Sequence, residues 1–324
     1  MIETYTFQAD AYTIELSPLG ASIVRLLTPD RNRRFENIVF TYADKSRYEH
    51  NTKFPGATIG PLAGRVYPPE IFQNGKTYTL KSDHAVHHHS GRDNLAFKRF
   101  EMEKGKNAVI FTLKPTYEHF PAADMVRVIY RFHPDGFTIT HETTTDHDTY
   151  SNLTNHTYFN LGGEGHDSLD HHTLRLNADR VYTLSEHNIP MNCVPVKHTW
   201  FDFTEERPLK DSLKALADTP QRGIDHCFVF SSPKEITLKC AQGGRCLHIT
   251  TDYPSVQVYT NNFPADDPAE GFRPDKAHSH ICFETQYPPN DMHRDQNPGS
   301  FQRKHTTRTH TTSYTFKEEE DDSF

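Results

Sequence analysis

No run of about 18 consecutive apolar residues occurs in the chain, so nothing in it reads as a membrane-spanning helix. Cysteine is sparse: Cys193, Cys227, Cys240, Cys246 and Cys282 are odd in number and contain no CxxC pair. Such a set reads as reduced thiols rather than a disulfide framework. Near Met1 there is no basic segment followed by an apolar core, so no secretory signal is visible and the expected setting is the cytoplasm. A basic surplus is also missing. The net charge is −8, and Glu318, Glu319, Glu320, Asp321 and Asp322 carry −5 of it, leaving the body at −3. Nothing there attracts nucleic acid or an anionic membrane. The phosphate loop GxxxxGK[ST], the zinc motif HExxH and the nucleophile elbow GxSxG are all absent.

Strand-forming residues are plentiful. The 324 residues include 15 Tyr and 22 Phe against five Met, a balance that suits sheets better than helix bundles. Val126, Val128, Tyr130 and Phe132 alternate up to the turn His133-Pro134-Asp135-Gly136, and Phe137 and Ile139 resume the period. Glu235 to Lys239, Gly243-Gly244 and Cys246 to Thr250 give a second hairpin. Ala108 to Leu113, His172 to Leu176, Ser255 to Tyr259 and His280 to Glu284 add further strands. Only Leu209 to Ala217 (LKDSLKALA), entered after Pro208 and stopped before Pro220, predicts a helix. Many strands with few short helices imply an all-β fold, a large antiparallel β-sandwich. One domain is expected over residues 1–316, with residues 317–324 as an acidic, disordered tail.

Several side chains could carry chemistry. Asn155-His156-Thr157-Tyr158-Phe159-Asn160 reads as a strand, and alternation then turns His156, Tyr158 and Asn160 to one face, the wall of a polar pocket. The same pattern also fits an ordinary structural histidine beside a buried ring. In Ile281 to Gln286 (ICFETQ), alternation separates Ile281 and Phe283 from Cys282, Glu284 and Gln286. A carboxylate in that setting is either partnered in a cleft or turned to solvent. Asp225 follows Gly223, where a turn carboxylate is the plain alternative. Arg65 ends the small-residue stretch GPLAGR, and its planar fork of donors suits vicinal hydroxyls or a carboxylate. His84, His87, His88 and His89 cluster without a metal-ligand spacing, so they read as surface histidines. A carboxylate and an imidazole with no cofactor motif suffice to move protons between two oxygens of one substrate.

Seven blocks, in order, resemble the aldose 1-epimerase (galactose mutarotase) family. They are GATIGPLAGRV (56–66), NGKTY (74–78), His89-Ser90-Gly91, NHTYFNL (155–161), GIDHCF (223–228), TDYPSVQVYTNNF (251–263) and ICFETQ (281–286). The resemblance spans about Leu16 to Phe316 and implies the family's large β-sandwich, the mutarotase supersandwich. It matches His156 to the general acid and Glu284 to the general base. Arg65, His89, Tyr158, Asp225 and Gln257 match sugar-contacting positions. It implies a monosaccharide as the partner, an isomerase of aldoses such as galactose or glucose, a monomer or homodimer, and neither cofactor nor metal. Departures fall on the sugar-shaping positions. Gly64 stands where the family usually has Asn, Pro61 replaces an arginine, Pro68-Pro69 interrupts the segment after Arg65, and Ser90 beside His89 lets the match slip to His88.

On that reading, Glu284 takes the anomeric hydroxyl proton while a protonated His156 donates to the ring oxygen. An imidazole keeps its charge at neutrality only with help from a neighbour, and Asp225 is the candidate. The alternatives are epimerisation of a phosphorylated hexose, a non-catalytic sugar-binding module on the same fold, and metal binding through His87 to His89.

Overall fold

The computed structural model describes residues 2–50, 52–82, 85–265 and 275–318. Two large antiparallel sheets carry most of the strand residues. The first has nine strands in the spatial order Glu101–Lys104, Ala108–Leu113, Met125–His133, Gly136–Thr145, Thr306–Glu318, Arg245–Thr251, Glu235–Cys240, His172–Leu176 and Arg207–Pro208. The second has six, in the order Tyr158–Phe159, Ile281–Gln286, Ser255–Tyr259, Asp225–Phe230, Ala178–Leu184 and Pro190–Pro195. A four-stranded sheet begins the chain with Tyr5–Gln8, Thr13–Ser17, Ser22–Pro29 and Phe35–Asn37.

The alternation seen in the sequence decides what these sheets bury. Val126, Val128, Tyr130, Phe132, Phe137 and Ile139 of the nine-stranded sheet share one core with Phe228, Val256, Val258, Ile281 and Phe283 of the six-stranded sheet. Tyr314 of the first meets Phe159 of the second at a ring distance of 6.1 Å. Two sheets burying one apolar layer between them make a sandwich, and the all-β expectation holds.

The 125–145 hairpin pairs Phe132 with Phe137 as the alternation requires. Gly136 is needed at its turn, because a Cβ there would lie 2.0 Å from the Tyr314 carbonyl oxygen. The Tyr12 hydroxyl closes the same corner by donating to the Gly136 carbonyl at 2.7 Å. Asn74 (φ 52°) and Gly75 (φ 75°) turn the Glu70–Gln73 and Lys76–Thr79 hairpin, the left-handed pair that matches strand twist. The expected helix forms as Leu209–Leu216 and buries Leu209, Leu213 and Leu216.

Two sequence readings are corrected. Residues 155–160 are not one strand. Thr154–Asn155 pairs with Thr58–Ile59, Tyr158–Phe159 pairs with the Ile281–Gln286 strand, and His156-Thr157 bridge the two pairings. Asn160 therefore leaves the pocket face, and its amide donates to the His166 and Ser279 carbonyls. At the other end of the chain, the last strand runs to Glu318, so Lys317 and Glu318 extend the sheet. The rest of the acidic segment, 319–324, lies outside the described residues. Among those described, no helix is long and apolar enough to cross a membrane, and no disulfide joins any of the five cysteines.

Candidate functional site

The six-stranded sheet buries one face in the core and offers the other to a cavity. Across it, Asp225 pairs with Tyr259, Tyr259 with Cys282, and Cys282 with Tyr158. Gln257 pairs with Glu284 in the adjacent row. Because side chains alternate, Asp225, Gln257, Tyr259, Glu284 and Tyr158 share the face opposite Phe228, Val258 and Phe283. All five line a cavity of about 180 Å³, as do Lys53, Arg65, His88, His89 and His156. That volume is below the roughly 300–1,000 Å³ of pockets for drug-sized ligands and suits one small molecule.

Glu284 is buried and holds Oε1 3.6 Å from His156 Nε2. Its other oxygen, Oε2, is buried with no hydrogen-bond partner. Burial pushes the Glu284 carboxyl up to about 8; the Asp225 charge adds to this and Arg65 opposes it. Burial pushes His156 down to about 4; a hydrogen bond to its own main-chain carbonyl opposes this, Lys53 acts in the same direction as burial, and Asp225 acts against it. The expectation that Asp225 keeps His156 charged is thus not met. Desolvation dominates, and both Asp225 oxygens are occupied elsewhere. Arg65 Nη2 donates to Oδ2 at 3.2 Å and Gln257 Nε2 donates to Oδ1 at 2.7 Å.

His89 is buried and faces His156 at a ring distance of 5.4 Å, while His88 is exposed at the rim. Both line the cavity, His89 from its buried interior and His88 from the rim. The His89 Nδ1 accepts the Gly64 N–H at 3.1 Å, so neutral His89 carries its hydrogen on Nε2, the nitrogen left for the cavity. His87 is also buried and bonds the Lys81 carbonyl outside the cavity, so the cluster is not a set of surface groups. His84 lies outside the described residues.

His89, His156 and Glu284 bring three ligand atoms within 4.8 Å of one another, a donor set that could suit zinc. The His89 hydrogen bond speaks against that use. A metal-bound imidazole donates its second nitrogen outward, whereas here that nitrogen accepts a main-chain N–H.

Sequence reasoning missed Lys53. It is buried, bonds Asp275 at 2.5 Å and Asn261 at 2.7 Å, and sits 5.1 Å from the Tyr158 ring centroid. No motif flags a lone lysine whose partner is more than two hundred residues away. Phe54 and Pro289 were missed as well. Pro289 explains the departure at position 64. Gly64 has φ 81°, and a Cβ there would approach Pro289 Cγ to 2.6 Å, so a proline ring occupies the space a larger residue would need. Phe54 (φ 54°) and His89 (φ 48°) are also left-handed, which concentrates backbone strain at this cavity.

Comparison with known proteins agrees with this architecture. The aldose 1-epimerase family model matches residues 3–315. The chain belongs to the aldose 1-epimerase family. Among curated relatives, galactose mutarotase of Mus musculus is 28% identical over 97% of this chain and 94% of its own. Aldose 1-epimerase of Haemophilus influenzae is 30% identical over 83% of each chain. The solved GalM/aldose epimerase homologue from C. elegans superimposes with a TM-score of 0.90 at 24% identity, covering 99% of this chain and 100% of that one. Membership makes this chain an isomerase with the family's β-sandwich. In aldose 1-epimerase terms, all seven positions matched from sequence, Arg65, His89, His156, Tyr158, Asp225, Gln257 and Glu284, line one cavity.

Proposed function

We propose that the cavity binds a free aldose in its ring form and interconverts the α and β anomers, with Glu284 as base and His156 as acid. The observation that carries this reading is the buried, unpartnered Glu284 Oε2 beside the His156 imidazole. Leaving a buried oxygen unsatisfied costs about 1–3 kcal/mol, and a substrate hydroxyl would remove that cost.

The proton inventory suits ring opening. Glu284 takes the hydrogen of O1 as His156 Nε2 gives one to O5, the C1–O5 bond breaks, and C1=O1 forms. After rotation of C1, O5 attacks its other face, O5–H returns its proton to His156, and Glu284 returns its proton to O1. A protonated Glu284 with neutral His156 holds as many protons as a carboxylate with an imidazolium. The neutral pair matches the open aldehyde and the ionised pair matches the ring. Burial, which disfavours both charges, lowers the open state relative to the closed one. Arg65, Gln257 and the His89 Nε2–H are placed to bond ring hydroxyls.

Charge pairing favours a neutral sugar over a phosphorylated one. Among the described lining residues, Lys53 is matched by Asp275 and Arg65 by Asp225, which leaves neither cation over for a dianion. A non-catalytic sugar module would have no use for a desolvated carboxylate, which is expensive to keep. Polarimetry on freshly dissolved α-galactose and α-glucose tests the proposal. The protein should speed equilibration, and the Glu284→Gln and His156→Asn variants should each lose about 10²–10⁴-fold. Wild-type rates from both variants would refute it.

A further inference from the structure

The assigned roles leave one ring nitrogen of His156 unexplained. Nε2 lies toward Glu284, whereas Nδ1 meets Cys282 Sγ at 3.6 Å. Cys282 and Glu284 are two residues apart on the Ile281–Gln286 strand, so alternation turns both to the same face. One strand therefore addresses both nitrogens of one imidazole. We propose that Cys282 is a positioning residue for His156: its sulfur takes the Nδ1 hydrogen, which fixes the tautomer and leaves the Nε2 lone pair facing Glu284 and the cavity.

This rests on the acid role of His156 proposed above and adds what that role needs. After Nε2 has given its proton to O5, the neutral ring must keep its hydrogen on Nδ1, or Nε2 could not take the proton back. The tautomer of a histidine is set by the bond its other nitrogen makes. Here the groups around the ring leave few choices. Phe54, Tyr158 and His89 pack against it as rings, at centroid distances of 6.3, 4.9 and 5.4 Å. Asp225 is engaged by Arg65 and Gln257, and Lys53 by Asp275 and Asn261. The His156 carbonyl is a second acceptor for its own ring and also receives the Gly56 N–H at 2.9 Å. The thiol is the side-chain acceptor at Nδ1, supplied by the strand that carries Glu284.

The choice of sulfur has a chemical consequence. A carboxylate behind Nδ1 would stabilise the imidazolium and weaken it as an acid. Sulfur is a weak acceptor, so it orients the ring without that penalty. Burial, with the nearby Glu284 carboxyl, holds the Cys282 thiol well above the ordinary range, which keeps it a neutral S–H at physiological pH.

Nitrogen-15 NMR of the histidine ring in the substrate-free protein reads the tautomer without any turnover. Neutral wild-type His156 should carry its hydrogen on Nδ1. Cys282→Ala should mix the two tautomers and lower kcat about tenfold with KM nearly unchanged, a smaller loss than removal of the acid itself. Cys282→Ser, which restores an acceptor, should recover the tautomer and most of kcat. Cys282→Asp should raise the His156 titration midpoint from its depressed position and reduce kcat. A wild-type ring protonated on Nε2 overturns the proposal. So does a folded Cys282→Ala protein with unchanged tautomer and kcat. If the alanine variant does not fold, the wild-type spectrum and the serine variant decide. Failure of the anomerase reading looks different: Glu284→Gln would stay fully active whatever the His156 spectrum showed.

Discussion

Replacing Glu284 by Gln should stabilise the folded protein progressively as pH rises. The carboxyl is buried, and its proton is held to about 8 instead of the ordinary 4.5, with burial as the main cause. Its folded-state value lies above its unfolded value, so between these two the folded state binds more protons than the unfolded chain. Stability from this group is therefore full below about 4.5 and lost as pH climbs toward 8. At about 1.36 kcal/mol per pH unit, the wild type should lose about 3 kcal/mol from this group between pH 5 and pH 8. The amide variant keeps the shape and has nothing to ionise. Urea denaturation of both proteins at half-unit pH steps measures the difference. The gap should widen by about 3 kcal/mol in favour of Glu284→Gln across that window. A gap that stays constant with pH would mean that Glu284 ionises as freely folded as unfolded, and the desolvation account would fail.

Three further outcomes follow from the same geometry. The folded-state value of His156 is depressed to about 4 by burial, so its contribution is present above about 6.5 and lost as pH falls toward 4; His156→Asn should flatten the acid side of the stability–pH curve measured by denaturation. Lys53→Met should cost about 3–5 kcal/mol in urea denaturation, because it strands the buried Asp275 carboxylate without its cation. Gly64→Ala should destabilise by about 1–3 kcal/mol through its left-handed backbone and the Pro289 ring, and Gly64→Ala combined with Pro289→Ala should recover part of that loss while the backbone strain remains.

Local periodicity carried the fold a long way. The 125–145 and 235–251 hairpins, the helix at 209 and the split faces of ICFETQ each follow from alternation or helical spacing within one segment, where a side chain's direction is set by its neighbours. Residues 155–160 misled the same reasoning because the chain changes partner strand at His156-Thr157, and a change of partner leaves no mark on a six-residue pattern. Glu284 and His156 were legible through their blocks. Their electrostatics were not, since burial is a property of everything packed around them, and the balance tipped against a charged His156. Lys53, Phe54 and Pro289 stayed hidden for a related reason. Each acts through contacts distant in sequence, and Pro289 becomes meaningful only once Gly64 is seen against it.

Exchange NMR of the anomeric protons of galactose at equilibrium tests the central claim most directly, because it sees α and β forms interconvert with no net reaction. Exchange cross-peaks should rise far above the spontaneous rate with the wild-type protein, and none should rise above it with Glu284→Gln. Exchange no faster than the spontaneous rate with wild type across a panel of aldoses, or undiminished exchange with the variant, would contradict the claim.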